Sequence, residues 1–215
     1  MLLIALAGGA LWLAVPRFVA GVASAPFGDV LAALDTAGVA ATERAERGYR
    51  RALRWQHHPQ IEADLGALSL GEARRETLAD HGEAARVLLA ESAALHRASL
   101  AQSPLQPYVW TRLAQTEIAL EAPQQAVAAL RMALDSGPME PALVVARLSL
   151  SFVLWNDLDD GLRTRMAGQI RHAAKLYPMA LARIAVQRRA QDKVLGAIED
   201  DTDLLRRFSQ AYSLL

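Results

Sequence analysis

Two Pro-x-x-Pro marks set the frame of this chain. Pro104 with Pro107 forms the first and Pro138 with Pro141 the second, so corresponding prolines stand 34 residues apart. A 34-residue period is the length of one helix–turn–helix unit. Proline suits the first turn of a helix, because its φ is already helical and its missing N–H would have no partner there. Pro107 therefore opens one helix, Pro123 opens the next, and Pro138 ends it. Trp110 and Leu113 begin an apolar stripe on the first helix, with the small Ala114 beside it. Ala126, Leu130 and Ala133 carry the stripe of the second. Neither helix buries its stripe alone, so units of this kind must stack on neighbours.

The rest of the composition agrees with a helical chain. It is rich in Ala, Leu and Arg and poor in β-branched runs, which favours helix. The expected fold class is all-α: an N-terminal membrane helix followed by a TPR-like stack of antiparallel helical hairpins. The 23 basic residues are matched by 23 acidic ones. No basic face outruns its acids, so nucleic acid is not an expected partner. The absence of Cys excludes disulfides, thiolate catalysis and Cys-based metal sites.

Residues 1–25 are the hydrophobic extreme. Leu2 to Val15 carry no charge. At about 1.5 Å per residue that run covers roughly 21 Å, so a helix crossing the roughly 30 Å hydrocarbon core must continue past Arg17 to about Ala23. The leading reading is a single-pass membrane anchor, with Arg17 snorkelling to the headgroups. A cleaved leader ending at Ala23-Ser24-Ala25 and a buried core helix are the alternatives; no Lys or Arg precedes the apolar run, which weighs against the leader. The positive-inside rule places the body in the cytoplasm, although a basic extension at the N-terminus would reverse that.

Residues 26–56 form the expected connecting helix, with Val30, Leu31 and Leu34 at helical spacing and Glu43–Arg47 and Glu46–Arg50 as i,i+4 pairs. The charged stretch around them is expected to be a solvated face. Residues 57–215 form the expected repeat domain, clearest over 104–141. His57-His58-Pro59 and His81 are expected in turns. Adjacent imidazoles rarely converge on one ion, and no third ligand stands at helical spacing, so no metal is assigned. Residues 60–78 and 82–103 make an earlier hairpin. Residues 142–155 are apolar nearly all round, so that helix should be buried. The acidic cluster Asp157, Asp159, Asp160 lacks the glycine and terminal glutamate of a calcium loop and is expected to cap helix 161–177. Shorter helices at 179–189, 191–199 and 202–213 suit a terminal cap.

The large, small and proline positions of 104–141 resemble the tetratricopeptide (TPR) pattern, with Glu117 where that family usually has Tyr and Glu121 where it usually has Gly. The hydrophobic N-terminus, the Ala/Leu/Arg-rich hairpins, and the segments SLAQSPLQPYVWTRLA and GPMEPALVVARLSL together resemble the membrane-anchored, TPR-like proteins of bacterial exopolysaccharide and O-antigen loci. The specific part covers about residues 95–180. The resemblance implies a scaffold or adaptor beside a polysaccharide synthesis or export machine, with a protein partner in a membrane-associated complex, no cofactor and no reaction of its own. It also implies that the single-pass anchor lies in a bacterial inner membrane. In such hairpins the first helix of each unit lines a groove. Opposite the stripe of Trp110 and Leu113 lie Tyr108, Thr111, Arg112, Gln115 and Ala119; the first four are the candidate partner-binding residues. Two other readings stand beside this one: a structural subunit using the anchor as its interface, and a glycan-active enzyme. The enzyme is disfavoured because glycosidase chemistry needs two carboxylates across a cleft, and no phosphate loop or nucleophile motif is present.

Two packing expectations follow. Trp110 should be core. Glu117 and Arg147 should form an ion pair, because Arg147 stands 34 residues after Leu113 on the matching face of the next unit, and a buried charge needs a partner.

Overall fold

Proline and left-handed turns punctuate a chain of helices. The structure, a computed structural model, describes residues 14–32 and 38–215; among these all regular structure is helical. Helix α1 is described over 14–24, followed by a 3-10 turn at Ala25–Phe27 and α2 at Gly28–Ala32. Then come α3 (Val39–Leu53), α4 (Pro59–Leu78), α5 (Gly82–Gln102), α6 (Pro107–Ala119), α7 (Pro123–Ser136), α8 (Pro141–Val153), α9 (Asp160–Leu176), α10 (Pro178–Arg188), α11 (Gln191–Ile198) and α12 (Thr202–Tyr212). Five of these helices, α4, α6, α7, α8 and α10, open on a proline. Three hairpin turns use a non-glycine residue in the left-handed region: Asp80, Glu121 and Arg189. In each, the next N–H bonds back to a carbonyl five residues earlier, as His81 does to Glu76, Ala122 to Glu117 and Ala190 to Ala185. That bond closes a helix C-terminus and sends the chain back along itself.

The chain divides into two compact units, one ending at Leu105 and one running from Gln106 to Leu215. In the first, α4 and α5 form a long antiparallel hairpin and α3 packs on α4. The hairpin closes tightly at Gly66, where an added Cβ would lie 2.9 Å from the buried His96 ring. The Ser92 hydroxyl donates to the Gly66 carbonyl at 2.8 Å. Buried Glu62 accepts from Gln102 at 2.7 Å and sits 3.2 Å from the His57 ring. His58 caps α4 by accepting from the N–H of Gln60. The turn reading of the first three histidines therefore holds.

No helix among the described residues is long and apolar enough to cross a membrane. This overturns the expected single-pass inner-membrane placement. The first part of the expected anchor, residues 1–13, lies outside the described residues. The remainder, α1, ends in the 3-10 turn at Pro26 and lays one face against protein. Ala20 is 1% exposed and belongs to a core cluster with Ala45, Tyr49, Ala52, Ile61, Leu65 and Leu68, onto which Ala23 and Phe27 also pack. Apolar composition was read correctly there; what covers the face of Ala20 is α3 and α4. The connecting segment also differs from expectation. One helix over 26–56 is replaced by the 3-10 turn, α2 and α3, and α3 begins only after Gly38, whose backbone is extended. Leu34 lies outside the described residues.

The second unit is a run of hairpins. Helix α6 pairs with α7, α8 with α9 and α10 with α11, and α12 packs on α9, α10 and α11. The first helices also touch in order, α6 on α8 and α8 on α10. Leu113, Ala114, Ala126, Leu130 and Ala133 are all buried, as the repeat pattern requires. Helix α8 is buried over most of its surface, with Leu143, Val144, Leu148, Leu150 and Phe152 in the core, but Ala142 and Val153 are exposed, so the expected full burial does not hold. Asp159 and Asp201 cap α9 and α12 by accepting from backbone N–H groups.

Candidate functional site

The first helices of the second unit share a register set by proline. Pro107, Pro141 and Pro178 each begin one of α6, α8 and α10. Counting one, five and eight residues onward from each proline gives Tyr108, Arg112 and Gln115; Ala142, Ala146 and Ser149; and Met179, Arg183 and Val186. None of these nine residues is buried. The three offsets fall within about 60° of one another on a helix, so each trio is one narrow stripe. Helix α8 has α6 on one side, α10 on the other, and α7 and α9 behind it. Its stripe occupies the side left open. The three stripes form a ladder of small and apolar residues with two arginines and a glutamine.

Side-chain bonds tie the rungs together. The Tyr108 hydroxyl donates to Glu140, just ahead of α8, at 2.8 Å, and that carboxylate holds the phenol above its ordinary pKa. Arg188 of α10 donates from Nε to the Ser149 hydroxyl of α8 at 3.1 Å. Beneath this face lies the turn between α7 and α8. Gly137 there is within close reach of Pro107, whose Cγ would sit 2.9 Å from an added Cβ. Arg147, fully buried, donates from Nη1 to the Gly137 carbonyl at 2.8 Å and from Nη2 to the Ala133 carbonyl at 2.6 Å. Gln169 donates to the Pro138 carbonyl at 3.0 Å. Arg147 thus supplies donors to a carbonyl of the last turn of α7 and to its C-cap Gly137, and Gln169 bonds the carbonyl that follows.

The four residues expected to contact a partner fall in different surroundings. Tyr108 is exposed, and Arg112 and Gln115 are half-buried. Thr111 is 3% exposed, and its hydroxyl donates to the Pro107 carbonyl one turn back at 2.7 Å. Ala119 is exposed. The ladder positions on α8 and α10 were missed by the sequence reading. The signal for them was present in the prolines, since 107, 141 and 178 fix equivalent positions without any similarity between the residues themselves.

Both packing expectations are corrected. Trp110 is half-buried rather than enclosed. Glu117 is buried at 2% exposure, but the Arg147 guanidinium is bonded to the carbonyls of Ala133 and Gly137 and not to Glu117. The reason is geometric: the open end of α7 lies closer to hand and offers acceptors at the negative pole of a helix. Burial lowers the Arg147 pKa, and the nearby Glu140 opposes that shift.

Among the described residues no three His, Asp or Glu side chains come together as metal ligands. Comparison with protein-family models, curated proteins and solved structures finds no match.

Proposed function

We propose that the second unit is a helical-repeat scaffold that binds a partner protein along the stripes of α6, α8 and α10. The observation that carries this reading is the shared register of Tyr108, Ala142 and Met179 and of the residues five and eight places after each proline. A regular ladder of small and apolar side chains suits a chain laid across several helices, with the stacked hairpins behind supplying rigidity. Arg112 and Arg183 would contribute charge-assisted bonds to acidic or carbonyl groups of the partner. The resemblance over residues 95–180 adds the finer proposal that the partner belongs to a polysaccharide synthesis or export machine and that this chain is its accessory.

Site-specific photo-crosslinking tests the reading. A photoreactive residue at Ala146 or Arg183 should give one discrete protein adduct in the native host, and the same residue at Arg171 or Lys175 on the exposed side of α9 should give none. Equal adducts from both faces, or adducts only from α9, would overturn it.

A further inference from the structure

The charged stretch of α3 is more ordered than a solvated face requires. Arg44, Arg47, Arg51 and Arg54 recur at intervals of three, four and three residues, which places them on one side of the helix and its C-terminal cap. Gly48 lies at the edge of that side, between it and the buried face of Ala45, Tyr49 and Ala52. The Phe27 ring fills the space its missing side chain leaves: an added Cβ would lie 2.1 Å from Phe27 Cε2 and 2.9 Å from the Ala23 carbonyl oxygen. Helix α1 and the turn that follows it therefore rest beside the arginine face. The helix carries Phe18 and Val22 there, 72% and 58% exposed.

Between α1 and α3 lies an open cleft of about 1120 Å³, with Phe18, Val22 and Phe27 among its apolar walls. Five arginines line it, and among the described residues no carboxylate does. That is a marked segregation in a chain whose formal net charge is zero. Some of these charges are satisfied. Arg50 pairs with Glu46 and Glu91, each at 2.7 Å, and Arg47 reaches Glu43 at 3.7 Å. Arg44 donates from Nε to the Ala40 carbonyl at 3.1 Å. For Arg51 and Arg54 no carboxylate partner occurs among the described residues, and both are exposed.

We propose that this cleft binds an anionic amphiphile: a phosphate or carboxylate head held by Arg51 and Arg54, and a single hydrocarbon chain laid over Phe18, Val22 and Phe27. Charge complementarity selects the head, since the guanidinium fork matches the oxygens of either group. The apolar walls select the chain, and each methylene they bury strengthens binding roughly fourfold. A bare anion would leave Phe18 and Val22 in water, and a neutral hydrocarbon would leave the arginines without a counter-charge. The volume is of the size ligand clefts commonly have. This site lies in the first unit and does not depend on the partner-binding reading of the second.

Calorimetric titration of the purified chain with dodecyl phosphate, kept below its micelle-forming concentration, tests the proposal. Saturable binding is expected. Arg51→Glu with Arg54→Glu should weaken it tenfold or more, and Phe18→Ser should weaken it severalfold. Octyl phosphate should bind far less tightly than the dodecyl ester, and Arg171→Glu, on α9 of the second unit, should bind as the parent does. Unchanged helical circular dichroism in each variant shows that folding is not the cause. Equal binding of dodecyltrimethylammonium would reduce the cleft to a greasy surface and overturn the proposal. Equal binding of inorganic phosphate would reduce it to an anion site and overturn it as well. Capture of anionic phospholipid vesicles without any binding of the monomeric ester would make the face a membrane contact instead.

Discussion

Arg147 on α8 donates its Nη2 to the Ala133 carbonyl at 2.6 Å and so closes the C-terminus of α7 from the neighbouring hairpin. The relationship explains how a cation can be fully buried without an acidic partner. The end of α7 presents carbonyls at the negative end of its dipole, and the guanidinium supplies donors to one in the last turn, Ala133, and to that of the C-cap, Gly137. Arg147→Met roughly keeps the volume but removes the short bonds to both carbonyls, leaving each only a 3.4 Å contact, from Ser136 to Ala133 and from Glu140 to Gly137. Bonds to charged groups contribute about 1.5–3 kcal/mol each, while removing the buried charge returns part of that, so a net loss of about 2–4 kcal/mol is expected. Because the pairing is with α7, Glu117→Gln and Arg147→Met should act additively in a chemical-denaturation cycle. A coupling above about 1 kcal/mol would mean that Glu117 and Arg147 act as a pair after all.

Glu121 holds a left-handed backbone with φ of 58° between α6 and α7. A side chain there is strained by about 1 kcal/mol, and glycine is not. Glu121→Gly should therefore raise stability by about 0.5–1 kcal/mol despite the added freedom of the unfolded chain. Asp80 has φ of 64° in the same setting, but aspartate tolerates this region better, so Asp80→Gly should gain less. Thermal midpoints of the two variants measured together check the order. A larger gain at Asp80 would contradict it.

Gly48 marks where α1 meets α3, and two changes probe that contact. Alanine at an ordinary helix position gains about 1 kcal/mol over glycine. Here the added methyl would overlap the Phe27 ring, so overpacking costing about 1–3 kcal/mol should win and Gly48→Ala should destabilise. Deleting residues 1–24 removes Ala20 and uncovers the faces of Tyr49 and Ile61, so the first unit should melt several degrees lower than in the full chain. An unchanged midpoint in the deletion would show that α1 contributes nothing to the core.

These corrections show which physics local sequence carries. Prolines at 107, 123 and 141 and the stripe of Leu113, Ala126 and Leu130 are local signals, so the hairpins of the second unit were legible almost to the residue. The side that covers Ala20 was not. An apolar stretch announces that it avoids water, but not whether lipid or protein replaces the water. Arg147 was legible as a core-facing cation, yet its partners are backbone carbonyls, which every residue owns and no pattern advertises. The ladder needed the lengthened step from Pro141 to Pro178, which the 34-residue period does not contain. The arginines of α3 looked like solvent-facing charge because the cleft beside them is made by Phe27 reaching across to Gly48, a contact between segments far apart in sequence.

Asp159 supplies the last prediction. It caps α9 by accepting from the Leu162 N–H at 2.9 Å, and it also pairs with Arg131 of α7. The backbone N–H of Leu162 first, and then the Arg131 guanidinium, hold its carboxyl below the usual aspartate range. A group with a depressed folded pKa stabilises fully above its unfolded value, about 3.9 for aspartate, and that contribution fades as pH falls through the folded value. Asp159→Ala should therefore lower the thermal midpoint clearly at pH 6, and the gap to the parent should narrow by pH 3. Asp159→Asn keeps an acceptor for the cap but loses the charge. Its midpoint at pH 6 should lie between those of the parent and the alanine variant, closer to the parent if the cap outweighs the exposed ion pair. A gap between parent and Asp159→Ala that stays constant from pH 6 to pH 3 would show that the ionised carboxylate contributes nothing at this helix end.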